Sequence, residues 1–177
     1  TNDYGSADYY YVNKSSLPKV YGGFNTSLSW KGFDLSAIFA YSIGGYIYNR
    51  DITMILHNGS LEGRDWSTEI LKRWTPDNRY TDVPALSTTS NDWNSASTRF
   101  LQNNSYMRLK NLTLSYNLPK QWISKLSLSS VQVYVQGDNL FTIHRNQGLD
   151  PEQGITGITY YRYPAMRTIS GGINVSF

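Results

Sequence analysis

The last residues of the chain constrain its fold more than any other stretch. From Arg167 onward the odd positions Ile169, Ile173, Val175 and Phe177 are apolar, while Thr168, Ser170, Asn174 and Ser176 are polar. A strand sends successive side chains to opposite faces, so this alternation gives one apolar face and one polar face. A terminal strand that ends on an aromatic suits the closing strand of an outer-membrane barrel, and it also suits the last strand of a soluble sandwich. This segment alone leaves both open.

Four further segments alternate. Val20–Trp30 places Val20, Phe24, Leu28 and Trp30 opposite Tyr21, Asn25, Ser27 and Ser29. After a Lys31-Gly32 turn, Phe33, Leu35, Ala37, Phe39, Tyr41 and Ile43 oppose Asp34, Ser36 and Ser42, the pattern of a hairpin. The third segment carries Leu112, Leu114, Tyr116 and Leu118 against Asn111, Thr113, Ser115 and Asn117, but upstream Met107 and Leu109 reverse the phase. One slipped residue exchanges the faces, which predicts a bulge near Lys110 or an upper half lying outside a membrane. In the fourth, Val131, Val133 and Val135 alternate with Gln132, Tyr134 and Gln136 before slipping at Gly137-Asp138-Asn139.

The expected fold is therefore all-β, with five antiparallel up-and-down strands near 19–30, 33–44, 104–118, 130–143 and 167–177. Connections run short, long, moderate, long, as in a transmembrane barrel with short periplasmic turns and long extracellular loops. The connection 45–103 is the longest. Within it Asp65 reads as an N-cap, with Trp66, Ile70, Leu71 and Trp74 near one face of a short helix that Pro76 ends. A second helical turn is expected at 121–126. Trp66, Trp74, Tyr80 and Trp93 give the long loop an aromatic surface for a partner or ligand, or for packing the loop on itself.

Composition removes several classes. No run approaches the ~20 apolar residues of a membrane helix, and the mean hydropathy of −0.46 fits strands that turn only alternate residues outward. The net charge of +3 is scattered, without the basic stripe of a nucleic-acid binder. The chain has no cysteine, hence no disulfide or thiolate site. Its opening at Thr1, in polar, turn-rich sequence, reads as the interior of a longer protein. His57 and His144, both in loops and outside any nucleophile or metal motif, are expected at the solvent surface. Asp150-Pro151-Glu152 has the two carboxylates of a glycosidase, but so close in a turn they read as loop architecture. Asp77, Asn78 and Asp82 lack the rhythm of a calcium loop. No catalytic residue, metal or cofactor is expected. The tyrosines of Tyr9-Tyr10-Tyr11 and Tyr160-Tyr161-Arg162-Tyr163 suit either a membrane-interface girdle or carbohydrate stacking.

Pro18-Lys19-Val20-Tyr21-Gly22-Gly23-Phe24, Trp30-Lys31-Gly32-Phe33-Asp34-Leu35-Ser36, Arg73-Trp74-Thr75-Pro76-Asp77-Asn78 and Ser105-Tyr106-Met107-Arg108-Leu109-Lys110-Asn111-Leu112-Thr113-Leu114 follow one another along the chain. Then come Gly137-Asp138-Asn139-Leu140-Phe141-Thr142, Gly148-Leu149-Asp150-Pro151-Glu152, Tyr163-Pro164 and the terminal Phe177. Together, and in this order, they resemble the C-terminal end of SusC/RagA-like TonB-dependent outer-membrane transporters, the nutrient importers of Bacteroidetes. The resemblance implies a barrel of roughly 22 strands around a plug, with this chain supplying the last five. It implies residence in the outer membrane and import of oligosaccharides or peptides beneath a SusD-like surface lipoprotein, energised by a TonB complex through a plug region not contained here. It also implies that Ile173, Val175 and Phe177 are an assembly signal read by the barrel-assembly machinery as the barrel enters outer-membrane lipid. The alternative is a soluble carbohydrate-binding β-sandwich.

Overall fold

The computed structural model describes residues 3–57, 59, 61, 63–87, 92–152 and 154–177. In chain order the strands are β1 (Val20–Trp30), β2 (Phe33–Ile43), β3 (Tyr46–Asn49), β4 (Leu101–Asn103), β5 (Tyr106–Asn117), β6 (Ser130–His144), β7 (Ile158–Thr159) and β8 (Thr168–Ser176). Two short helices are α1 (Arg50–Ile55) and α2 (Lys120–Ile123), the latter running into a 3-10 turn at Ser124–Leu126 as the sequence predicts. Among the described residues no helix is long and apolar enough to cross a membrane. The chain forms two compact units.

The first unit, residues 17–45, 104–152 and 163–177, is a five-stranded antiparallel sheet in the order β1-β2-β5-β6-β8. Consecutive long strands are neighbours throughout, the up-and-down order expected. Lys31 and Gly32 have φ of 48° and 90°, the left-handed pair of a two-residue hairpin turn. Register then assembles the faces. Phe24 opposes Phe39 and Leu28 opposes Leu35, which is followed across the sheet by Leu114 and Val135. The Phe24 and Phe39 rings stack with centroids 4.7 Å apart, and Phe33 lies 4.5 Å from Tyr116.

The phase reversal in β5 is a bulge. Ile38 pairs with Asn111 and Phe39 with Leu109, leaving Lys110 as the extra residue. The insertion returns Leu109 and Met107 to the face of Leu112 and Leu114. On β6 the same irregularity is taken up between Asp138 and Phe141, with Asn139 at φ 52°. The Leu140 side chain lies over Gly137, where an added Cβ would meet it at 2.6 Å.

The opposite face is a hydrogen-bonded polar layer. Asn174 donates to Gln132 at 3.2 Å, and Gln132 to Ser115 at 3.3 Å. Asn111 donates to Asp138 at 2.7 Å, and Asn117 to Asp34 at 2.7 Å. Asn25, Asn111 and Asn174, each heading a glycosylation-type triplet, all lie within strands.

This unit inverts the usual solution for a soluble sheet. Among the described residues its buried apolar side chains are few, Ala37, Leu109 and Ile123 among them, whereas Leu28 and Ile173 are each 66% exposed. Phe24, Leu35, Leu114, Val133 and Val175 are exposed as well. Among the described residues nothing covers this face as the second sheet of a sandwich would.

The second unit, residues 1–16, 46–103 and 153–162, has a core of its own. Ile47, Ile70, Val83 and Phe100 are buried, together with Asn49, His57 and Thr159. A small sheet in the order β4-β3-β7 organises it, β3 pairing antiparallel with β4 and parallel with β7. The stretch expected as one long loop carries β3, β4, α1 and three 3-10 turns among its described residues. Asn49 caps α1 by accepting from the Ile52 amide at 3.1 Å.

The helix expected from Asp65 to Trp74 is corrected to a single 3-10 segment, Thr68–Lys72, capped by Ser67. Trp66 is drawn out of any helical turn by its indole hydrogen bond to His57, and only Ile70 of the expected apolar stripe is buried.

Candidate functional site

The expected assembly strand lies at one end of the sheet. β8 pairs with β6 from Ser130–Ser176 through Asp138–Thr168, and β6 is its sole sheet neighbour among the described residues. Ile173 opposes Val133 and Val175 opposes Val131, so both belong to the exposed apolar face. Phe177 follows the last paired residue and is 93% exposed. Gly171 interrupts the apolar beat, while on the polar face the Tyr134 side chain lies over Gly172, where an added Cβ would sit 2.7 Å from its hydroxyl oxygen.

The four loop aromatics separate. Trp66 donates its indole N–H to His57 Nδ1 at 3.0 Å, with the rings edge to face at 5.2 Å. Trp93 leans on Phe100 at 6.5 Å and lies under the Arg99 guanidinium at 4.9 Å. These two rings help hold the unit together. Trp74 is 44% exposed, close to Trp66 at 41%, and Tyr80 is fully exposed.

His57 is a second correction, because it is 1% exposed rather than at the surface. Its Nδ1 accepts from Trp66 and from the Leu61 amide at 3.3 Å, which assigns the neutral ring with hydrogen on Nε2. Burial pushes its pKa below the ordinary 6.5.

Asp150 and Glu152 of the expected loop architecture meet two basic residues of β5 in a charged cluster. Arg108 on β5 reaches Asp150 at 2.6 Å and Glu152 at 2.7 Å, while its Nε donates to Thr142 at 2.8 Å. Lys110, the bulge residue, takes Glu152 at 2.7 Å. Asp150 also accepts from the Ala165 amide at 2.6 Å and the Glu152 amide at 2.9 Å. Burial by itself would raise the Asp150 pKa, but these two amides and Arg108 overcome it and hold the carboxyl below its ordinary value. With every guanidinium edge occupied, the cluster ties the connection between β6 and β8 to β5 and leaves no free acid–base pair.

In the second unit a groove of about 440 Å³ is lined by Tyr4, Tyr9, Tyr10, Tyr48 and Leu101 among others. Tyr160 and Tyr161 form a separate exposed ring pair. Among the described residues no group of three or more His, Cys, Asp or Glu side chains could hold a metal ion.

No family model matches the chain. A TonB-dependent receptor of Formosa agariphila is 34% identical over 166 residues, covering 88% of this chain and 16% of the relative. The TonB-dependent receptor SusC of Bacteroides thetaiotaomicron is 27% identical over 168 residues, covering 94% of this chain and 16% of SusC. Among solved structures, the RagAB peptide importer in its open-open state superposes with a TM-score of 0.81 at 35% identity, covering 94% of this chain and 18% of that one. Its closed-closed state gives a TM-score of 0.79 at 35% identity. The chain spans about a sixth of the length of the curated relatives it matches. An exposed apolar face backed by a polar hydrogen-bonded one, on a sheet that superposes on these receptors, leads to one assignment: the chain belongs to the SusC/RagA-like TonB-dependent receptors.

Proposed function

We propose that this chain is the C-terminal barrel segment of an outer-membrane importer for oligosaccharides or peptides. The observation that carries the reading is the inverted sheet. Apolar side chains are exposed across all five strands, while the polar side chains of the other face bond to one another. Against hydrocarbon the first face is stable and the second lines a wet lumen. Strand lengths agree, since a tilted strand needs about 9–11 residues to cross, and the five have 11, 11, 12, 15 and 9. The two outer strands, β1 and β8, would pair with the remainder of the barrel, since an open edge in lipid leaves backbone groups without partners.

In this reading Phe24, Leu28, Leu35, Phe39, Leu112, Leu114, Val133, Ile173 and Val175 face lipid, and Asn25, Ser27, Ser36, Thr113, Gln132 and Asn174 face the lumen. Residues 45–103 lie on the extracellular side, where Trp74 and Tyr80 are available to a SusD-like lipoprotein. Ile173, Val175 and Phe177 act as the signal for barrel assembly. The TonB complex acts through a plug elsewhere in the parent. The test is uptake by cells expressing the full-length parent, with and without a functional TonB. Accumulation of an oligosaccharide or peptide that needs both the parent and TonB supports the reading; TonB-independent accumulation contradicts it.

A further inference from the structure

Tyr160 and Tyr161 stand side by side with ring centroids 4.2 Å apart and planes 46° to one another, and both are exposed. Each ring carries an arginine. The Arg50 guanidinium lies 4.7 Å from the Tyr160 centroid, and Arg64 approaches the Tyr161 hydroxyl at 3.4 Å. Neither guanidinium is ion-paired to a carboxylate among the described residues. The backbone adds an independent observation. Tyr161 sits at φ 49°, a left-handed conformation that a bulky side chain avoids, and the Asp51 carboxylate holds its amide at 2.9 Å. A glycine would meet the same backbone need without strain, so the ring is retained at a cost to the fold.

We propose that this pair, with Arg50 and Arg64, is a subsite for an acidic sugar unit, a pyranose bearing a carboxylate. The C–H face of a pyranose packs against tyrosine rings, and the tilted pair forms a shallow open corner for it. The Arg50 guanidinium, stacked on Tyr160, keeps its planar N–H edge for bidentate contact with a carboxylate, and Arg64 at the Tyr161 hydroxyl adds a second positive charge beside it. The inference rests on the importer reading, and it narrows the cargo from oligosaccharide or peptide to acidic oligosaccharide.

The test is calorimetry on the detergent-solubilised full-length parent with three probes: tetragalacturonate, its fully methyl-esterified form and tetraglutamate. The acid should bind at least about tenfold more tightly than the ester, and its affinity should fall as salt is raised. Replacing both arginines by glutamine should abolish the preference. Tyr161→Gly, which relaxes the backbone and so retains the fold, should weaken tetragalacturonate binding about tenfold. Equal affinity for acid and ester, tighter binding of tetraglutamate, no binding of any probe, or an unaffected Tyr161→Gly variant would each overturn the subsite. Failure of the importer reading shows differently, as uptake that does not depend on TonB. A parent that imports neutral glycans or peptides under TonB control without an acid preference sinks the subsite alone.

Discussion

Arg108 on β5 and Asp150 in the connection between β6 and β8 meet at 2.6 Å, with side chains only 4% and 6% exposed. Asp150 simultaneously receives the amides of Glu152 and Ala165, so one carboxylate closes the base of a long excursion and fastens it to the sheet. Arg108→Met would leave that carboxylate buried without its counter-charge, a loss of about 3–5 kcal/mol. Asp150→Asn keeps an acceptor for one partner and should cost less, about 1–3 kcal/mol. Limited proteolysis of the folded parent should show new cleavage between 145 and 167 in the arginine variant, weaker cleavage in the asparagine variant, and none in wild type.

The same carboxylate sets an acid limit. Its folded pKa lies below the ordinary 3.8, so its contribution is complete above that value and is lost as pH falls through the lower folded one. Hydrogen exchange at the Ala165 amide should therefore stay slow at pH 5 and accelerate only below about 3.8.

His57 gives a second pH dependence in a higher range. Burial depresses its pKa, so below the ordinary 6.5 the unfolded chain binds a proton that the folded chain refuses. The stability of the second unit is full above 6.5 and declines as pH falls from there toward the folded value. Protonation at Nδ1 would also expel the Trp66 indole N–H. Trp66 fluorescence and Leu61 exchange should change as pH falls below 6.5, and a His57→Gln variant should lose that step.

The long strands were legible because one physical rule, alternation between two different surroundings, acts on every residue of them. Even the β5 bulge was legible, since Met107 and Leu109 could share a face with Leu112 only through an extra residue at Lys110. The small sheet was not. β7 is two residues long and joins β3 from far along the chain, so neither periodicity nor a local turn announces it. The convergence of Asp150 and Glu152 on Arg108 was hidden for the same reason, because only the folded register brings β5 beneath that connection. His57 departs from the surface expectation because its donor, Trp66, lies outside the 3-10 segment and turns its indole N–H onto the ring, a contact the helical spacing does not announce.

Tyr161→Gly should stabilise the folded parent by up to about 1 kcal/mol, because glycine takes a left-handed backbone without the steric cost. Retaining Tyr160 and Asp51 keeps the surrounding contacts in place. Thermal unfolding should show a raised midpoint, and a lowered one would mean that ring contacts outweigh the strain.

Val175 and Asn174 offer a paired test of the terminal strand, being neighbours on opposite faces. Val175→Asp puts a charge on the face assigned to lipid, at a cost of up to a few kcal/mol near the midplane and less toward the rim. Asn174→Asp puts the same charge on the face where Asn174 already bonds Gln132. Folded parent in outer-membrane fractions should fall for Val175→Asp and for removal of Phe177, and stay near wild type for Asn174→Asp. Equal losses for both aspartates would contradict the facial assignment, and normal levels without Phe177 would remove it from the assembly signal.

The loop aromatics can now be divided by experiment. Trp66 bonds His57 and Trp93 leans on Phe100, while Tyr80 is fully exposed and Trp74 is 44% exposed. Interface anchors are aromatic residues whose truncation costs about 2 kcal/mol or more in binding. If a SusD-like lipoprotein seats on this unit, Trp74→Ala with Tyr80→Ala should lower its co-purification with the parent at unchanged thermal stability. Trp66→Ala should do the reverse, lowering stability by about 1–3 kcal/mol by taking the indole donor from the buried His57, and leaving co-purification intact. Undiminished lipoprotein recovery from the Trp74 and Tyr80 double variant, with a correctly folded barrel, would remove these residues from the contact.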